Sequence, residues 1–143
     1  MKPPAIFILG ETSIPVARQV QMALPEAVVY GLIDRTHSAD FTYTNFGETV
    51  REFFQMGTPI IGICAAGILI RTLAPLLTNK WQEPPVLAIA EDGSAVVPLL
   101  GVYKGLMISL VKLPRFCKFP PQLPPLVILD LKLLYYRHHR VIS

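Results

Sequence analysis

The residues best placed for chemistry are two glycines and an arginine around a strand-to-helix turn. Gly62 lies in a short β-branched run over residues 59–63, and Gly67 opens an apolar segment that contains Arg71. The run predicts a buried parallel strand, and the segment predicts a helix. Backbone amides at a helix start, here near Ala66 and Gly67, attract anions, and a planar guanidinium suits carboxylates. We therefore predict a carboxylate-binding site containing Gly62, Ala66, Gly67 and Arg71. Strand-to-helix packing for the glycines and a solvated role for Arg71 are the alternatives.

Two glutamates are candidates for a general base. Glu91 follows a predicted strand, and Glu11 comes just after another. The carboxyl ends of parallel strands share one edge of a sheet, so both side chains are expected near the glycine turn. Cys64 also ends a strand, but the nearest candidate base is His37, on a distant loop. We therefore predict that Cys64 is a small buried cysteine rather than a nucleophile.

The elements that position these residues alternate between strand and helix. We predict five strands, over residues 5–9, 27–32, 59–63, 86–90 and 95–100, and three helices, over 13–24, 46–56 and 68–74. Thr12 or Ser13 is the expected cap of the first helix, and Asp92-Gly93 predicts a hairpin between the last two strands. Residues 33–45 are polar and are expected to be irregular. The order predicts an α/β fold with a mostly parallel open sheet and helices on both faces, in three layers.

Charge divides the chain into two parts. Residues 1–101 hold six Lys or Arg and nine Asp or Glu, a net of −3, whereas residues 102–143 hold seven basic residues and one acidic residue, a net of +6. The net positive charge of the chain therefore comes from a proline-rich tail. We expect neither nucleic acid nor a membrane as a partner of the domain formed by residues 1–101. The N-terminal apolar run is too short for a signal peptide, and two cysteines provide no disulfide framework. A cytoplasmic setting is expected, without a metal site.

One string in residues 59–101 resembles the N-terminal domain of the cobalamin-biosynthesis G proteins (CbiG), which are cobalt-precorrin-5A hydrolases. It reads Gly67-Ile68-x-x-Arg71-x-x-Ala74-Pro75-Leu76-Leu77-x-x-Lys80, then Val86, Glu91-x-Gly93 and Leu99-Leu100-Gly101. The resemblance adds Lys80 and Gly101 to the expected substrate-binding set; for Lys80, a plain loop lysine without a binding role is the alternative. Two positions depart from the family pattern: Glu83 replaces an Asp, and Ala90 precedes Glu91 where the family has an Asp-Glu pair.

The resemblance implies a step of anaerobic cobalamin synthesis. The family opens the lactone of cobalt-precorrin-5A with water and releases acetaldehyde, so a tetrapyrrole is the implied substrate. It carries its own cobalt, and no cofactor is implied. Glu91 and Glu11 are the implied catalytic candidates. Some members are fused to a precorrin-3B C17-methyltransferase, and other pathway enzymes are conceivable partners. The family enzymes have a further C-terminal domain, so we expect residues 1–101 to be an incomplete enzyme. The alternative is a non-catalytic α/β module that binds an anionic small molecule or a corrinoid.

The tail after Gly101 suggests a shifted reading frame. In the shifted frame, each new codon consists of the last base of one codon and the first two bases of the next. Met107 has a single codon and the codon of Ile108 must begin with AT, so this step can only spell Asp. The codons from Lys104 to Leu113 can then spell Gly-Ala-Asn-Asp-Leu-Ala-Arg-x-Ile, which resembles the family's continuation. We therefore predict that residues 102–143 are frameshifted and poorly ordered. A genuine tail that binds RNA or an acidic membrane is the competing interpretation, and its aliphatic content disfavours it.

Overall fold

A six-stranded sheet forms the centre of the computed structural model, which describes residues 2–78 and 82–101. Its order is β3-β2-β1-β4-β5-β6, where the first five strands run parallel and β6 is antiparallel to β5. The strands are β1 Ala5–Ile8, β2 Val28–Leu32, β3 Phe41–Tyr43, β4 Ile60–Ile63, β5 Val86–Ile89 and β6 Val96–Leu100. The antiparallel last pair confirms the hairpin predicted from Asp92-Gly93.

Helices cover both faces of this sheet. Helix α1 (Ile14–Ala23) packs on one face, while α2 (Phe46–Gln55) and α3 (Ala66–Leu73) pack on the other. Short 3₁₀ turns precede α1 at Glu11–Ser13 and follow α3 at Ala74–Leu76. The predicted three-layer α/β/α architecture is confirmed.

The central strands are buried on both faces, which explains their uninterrupted apolar sequences. Along β1, Ile6 and Ile8 face α1, whereas Ala5 and Phe7 face α2 and α3. Each large aliphatic side chain buried in this way contributes roughly 1.5–3 kcal/mol to folding. These strands therefore form a rigid base for the loops at their ends.

An aromatic cluster fixes the layer on the α2 side. Phe7 stacks against Tyr30 at 5.5 Å and meets Phe53 edge-on at 5.4 Å between ring centroids. The hydroxyl of Tyr43 donates a buried hydrogen bond of 2.7 Å to the carbonyl of Ile8. This bond ties the end of β1 to the edge strand β3.

Three local predictions need correction. Residues 33–45 contain β3, which was missed because three residues are too few for a periodic signal; two of the three are aromatic, and they pair with β2. Ser13 is at the N-cap of α1 but makes no capping bond, because it already has helical geometry at the end of the 3₁₀ turn. Helix α3 begins at Ala66, two residues before the predicted start.

Among residues 2–78 and 82–101, no helix has the length and apolarity needed to cross a membrane.

Candidate functional site

The candidate site lies at the carboxyl edge of the sheet, between β1 and β4. The chain leaves β1 toward α1 on one face and leaves β4 toward α3 on the other. Strands that diverge in this way leave a crevice outside their carboxyl ends, where α/β proteins bind ligands. The loop at Gly10–Glu11 follows β1 and the start of α3 follows β4, so both segments lie at this edge.

The start of α3 is open to a ligand. Its N-cap, Ala65, has extended geometry and provides no side-chain cap, so no described side chain accepts from the first amides, at Ala66 and Gly67. The third amide, of Ile68, donates to the carbonyl of Ala65 at 3.0 Å. Gly67 is exposed, and a methyl group placed on it would meet no atom within 4 Å. Two free amides thus point outward with small residues around them, as anion binding requires.

Arg71 lies one turn after Gly67 on the same side of α3. Helical side chains lean toward the N-terminus, so the arginine extends over the turn that holds Gly67. Arg71 is exposed, and the ion pair found within the described part of the chain joins Arg18 to Asp40 instead. No described carboxylate therefore neutralises Arg71, and its guanidinium can meet a ligand at the helix start.

Glu91 flanks the same edge from β5. A tight turn holds it there: the amide of Gly93 bonds to the carbonyl of Ala90, and Asp92 accepts from the amide of Ser94 at 2.9 Å. Burial raises the pKa of the Cys64 thiol to about 11, and the charge of Glu91 adds to the rise. Glu91 is therefore near the end of β4. The predicted burial of Cys64 is confirmed, and its thiol is protonated at neutral pH.

Glu11 holds a loop in place. One of its carboxylate oxygens accepts from the hydroxyl of Ser38 at 2.5 Å, and the other accepts from the amide of His37 at 2.7 Å. These bonds, the Ser38 bond first, lower the pKa of Glu11. A general base benefits from a pKa near neutrality, so both the contacts and the lowered pKa count against Glu11 in that role.

A second group of polar contacts fastens the same loop to α1. Asp40 accepts from Arg18 at 3.0 Å, from Gln21 at 2.7 Å and from the amide of Val29 at 3.0 Å. Burial tends to raise the pKa of Asp40, but the bonds from Val29, Arg18 and Gln21 outweigh it and the net shift is downward. The sequence did not reveal these contacts, because their partners lie 11 to 22 residues apart and form no motif.

Gly62 has a packing role. A methyl group there would lie 2.7 Å from one Leu69 carbon and 3.2 Å from the sulfur of Cys64. The absence of a side chain at Gly62 lets α3 approach β4 closely, which positions the helix start beside the crevice. The alternative of strand-to-helix packing thus describes Gly62, while Gly67 stays free of such contacts.

Gly101 lies at the opposite edge of the sheet. It follows β6, has a φ of 63°, and a methyl group there would lie 2.6 Å from the backbone of Pro85. Backbone geometry therefore accounts for this glycine, and the structure separates it from Gly67, with which the prediction grouped it.

Glu83 is buried near the C-terminal end of α2, also at that edge. Lys80 lies outside the described residues. Within the described ranges, no three His, Cys, Asp or Glu side chains group as metal ligands.

Comparison with known proteins decides the family. Residues 48–106 match the family model described as cobalamin synthesis G N-terminal. The cobalt-precorrin-5A hydrolase of Salmonella typhimurium (strain LT2) is 42% identical over 101 residues, which is 71% of this chain. The chain carries a CbiG N-terminal domain. The match spans only 29% of the Salmonella enzyme, and the family model continues five residues past Gly101, where the resemblance was expected to stop.

The fold of this CbiG N-terminal domain also has a solved counterpart. A putative cobalamin biosynthesis protein G homolog from Sulfolobus solfataricus superimposes with a TM-score of 0.57 at 15% identity. The superposition covers 95% of this chain and 46% of that one. At this identity the likeness supports the architecture alone.

Proposed function

We propose that this domain binds the cobalt-precorrin-5A tetrapyrrole in the crevice between β1 and β4, as part of a hydrolase that opens its lactone in cobalamin synthesis. The observation that carries the proposal is the open start of α3. Two amides that no described side chain caps lie there, together with an arginine that no described carboxylate pairs with, at the sheet edge where α/β folds bind ligands. The substrate class comes from the Salmonella relative, which is named for that hydrolysis.

The geometry suggests a division of roles. Arg71 pairs with a carboxylate of the tetrapyrrole, since its planar fork matches that group. The amides of Ala66 and Gly67 stabilise the negative charge that develops on the lactone oxygen when water adds to its carbonyl. Glu91 accepts the proton of that water. The acyl carbon–oxygen bond then breaks to leave a carboxylate and an alkoxide. The alkoxide becomes the carbonyl group of acetaldehyde as the carbon–carbon bond that holds the two-carbon fragment breaks, and the macrocycle carbon takes that bond's electron pair and a proton.

A non-catalytic binding module is the second candidate. The observation that favours it is coverage: the chain spans 29% of the Salmonella enzyme's length, so groups needed for turnover can belong to the remainder of such an enzyme. On this account the crevice binds a corrinoid or another anionic small molecule without hydrolysing it. The cytoplasmic setting and the contribution of other pathway enzymes stay predictions.

A chimera separates the two candidates. Residues 1–101 replace the matching N-terminal part of the Salmonella enzyme, and acetaldehyde release from cobalt-precorrin-5A is followed. We expect an active chimera in which Glu91→Gln lowers turnover about 10²- to 10⁴-fold, the usual contribution of a general base. Glu26→Gln is the matched control, because Glu26 is an exposed carboxylate near the amino end of β2. An active chimera that tolerates both Glu91→Gln and Arg71→Ala would contradict the catalytic proposal and leave a binding role.

A further inference from the structure

The loop between β2 and β3, residues 33–40, is fixed to the body of the domain at several points. Thr36 is buried, and it packs on β2 where Gly31 has no side chain; a methyl group on Gly31 would overlap the Thr36 hydroxyl. Arg18 of α1 donates to the carbonyl of Ser38. A surface loop that is fastened in this way holds its exposed side chains in defined places, as residues that bind ligands from loops require.

Glu11 fastens the middle of this loop to the carboxyl edge of the sheet. Its carboxylate accepts from the hydroxyl of Ser38 at 2.5 Å and from the amide of His37 at 2.7 Å. These two bonds lower the pKa of Glu11 most, and the charge of the His37 imidazole lowers it further, so the imidazole is also near this carboxylate. His37 is exposed, and no side chain in the described part of the chain bonds to its ring. The loop therefore presents an imidazole to solvent beside Glu11.

His37 and Arg71 belong to opposite faces of the sheet but to the same edge. Ile8 ends β1 and pairs with Ile63, which ends β4. The turn that begins at Glu11 and helix α3 each start three residues after one member of this pair, the turn on the α1 face and the helix on the other. A tetrapyrrole polycarboxylate carries its carboxylates around the rim of a wide, flat ring. One such ligand can therefore contact cations that come from both faces.

We propose that His37 is a second contact for the carboxylates of the substrate and that Glu11 is the residue that positions it. This role depends on the proposed tetrapyrrole site and adds to it a contact that responds to pH. An imidazole ordinarily changes charge between about pH 5 and pH 8, whereas carboxylates and guanidinium groups ordinarily do not. The charged groups around His37 are all of these last two kinds: Glu11 in the 3₁₀ turn, Arg18 on α1, and Asp34, Arg35 and Asp40 on its own loop.

The test is a titration of the tetrapyrrole polycarboxylate uroporphyrin III into the 143-residue chain and its His37→Gln variant, at pH 6 and at pH 8. We expect His37→Gln to weaken binding about twofold to tenfold at pH 6, the range for one hydrogen-bonded contact, and to change it little at pH 8. Protonation of the ligand affects both proteins alike, so the ratio of their affinities at each pH is the readout. Arg35→Gln removes an exposed cation from the same loop and is the matched control; it should leave binding within about twofold at both pH values.

A double-variant cycle tests the role of Glu11. Glu11→Ala should weaken binding at pH 6 about as much as His37→Gln does, and the two changes together should cause no further loss, because both remove the same contact. Should Glu11→Ala fail to fold, Glu11→Gln takes its place in the cycle. Additive losses would mean that Glu11 acts independently of His37 and would overturn the positioning role.

The same titrations with Arg71→Ala separate a failure of this contact from a failure of the proposed function. Equal affinities of the parent and His37→Gln at pH 6, or an equal loss at pH 6 and pH 8, would overturn the His37 contact. Weaker binding by Arg71→Ala in that case would leave the proposed site in place. Weaker binding by His37→Gln alone would support the His37 contact but contradict a site at the start of α3. A parent chain that does not bind the tetrapyrrole would overturn both.

Discussion

Replacing the two glycines of the β4–α3 turn with alanine should have opposite effects on stability. At Gly62, the new methyl group would lie 2.7 and 3.1 Å from the two terminal carbons of Leu69 and 3.2 Å from the sulfur of Cys64. Leu69 and Cys64 are both buried, so neither can move away freely. Forcing an extra methyl group into such a core costs about 1–3 kcal/mol. We therefore expect Gly62→Ala to lower the melting temperature by about 5–20 °C.

Gly67→Ala should do the reverse. No atom lies within 4 Å of the added methyl group, and alanine is favoured over glycine in a helix by up to about 1 kcal/mol. The variant should therefore be as stable as the parent or slightly more stable. Its added methyl group nevertheless stands beside the free amides at the start of α3, so ligand affinity should fall.

Thermal unfolding and titration with uroporphyrin III, a fluorescent tetrapyrrole polycarboxylate, measure the two effects separately. We expect Gly62→Ala to lose stability and Gly67→Ala to lose affinity while it keeps its stability. A stable Gly62→Ala variant would refute the packing assigned to Gly62. A Gly67→Ala variant with undiminished affinity would refute close approach of a ligand at the helix start.

Three further changes test the supporting structure. Tyr43→Phe leaves the buried carbonyl of Ile8 without its donor, so urea unfolding should show a loss of about 1–3 kcal/mol; an unchanged midpoint would show that the bond contributes nothing. Hydrogen bonds hold the pKa values of Glu11 and Asp40 below their ordinary values of 4.5 and 3.8. The stability that these carboxylates contribute is therefore complete at about pH 6 and is lost as the pH falls through the lowered values. We expect the urea midpoint of the double variant Glu11→Gln/Asp40→Asn to fall less steeply between pH 6 and pH 3 than that of the parent or of Glu26→Gln. Equal dependence of the midpoint on pH in all three proteins would contradict this. In a Cys117→Ser background, Cys64 should react with a thiol reagent only on unfolding, because burial raises its pKa to about 11; rapid labelling of the folded chain would contradict its burial.

The sequence predicted the fold better than the arrangement of the site. Apolar runs such as 59–63 and 86–90 identify strands directly, because a strand buried on both faces must be apolar throughout. The sequence did not predict edge strand β3, because three residues are too few to show the alternation of apolar and polar side chains that indicates a strand. Glycines were harder to interpret, because the same residue type serves close packing at Gly62, an open helix start at Gly67 and a left-handed turn at Gly101.

The role of Glu11 shows a second limit. Its place after β1 correctly predicted the carboxyl edge, but its hydrogen bonds to His37 and Ser38 join residues 26 and 27 positions apart. Such contacts depend on how the β2–β3 loop folds back on α1, which no local pattern records. Position at a strand end therefore predicts where a side chain lies, but not whether it is free to act.

The most direct test of the proposed site is a titration of uroporphyrin III into the parent chain, Arg71→Ala and Lys2→Ala. Lys2 is the matched control, because it is an exposed cation that precedes β1 at the opposite edge. A hydrogen-bonded charge contact is worth about 1.5–3 kcal/mol, so Arg71→Ala should weaken binding by about tenfold to a hundredfold, while Lys2→Ala should leave it within about twofold. Equal affinities for the parent and Arg71→Ala, or an equal loss in Lys2→Ala, would contradict a tetrapyrrole site at the start of α3.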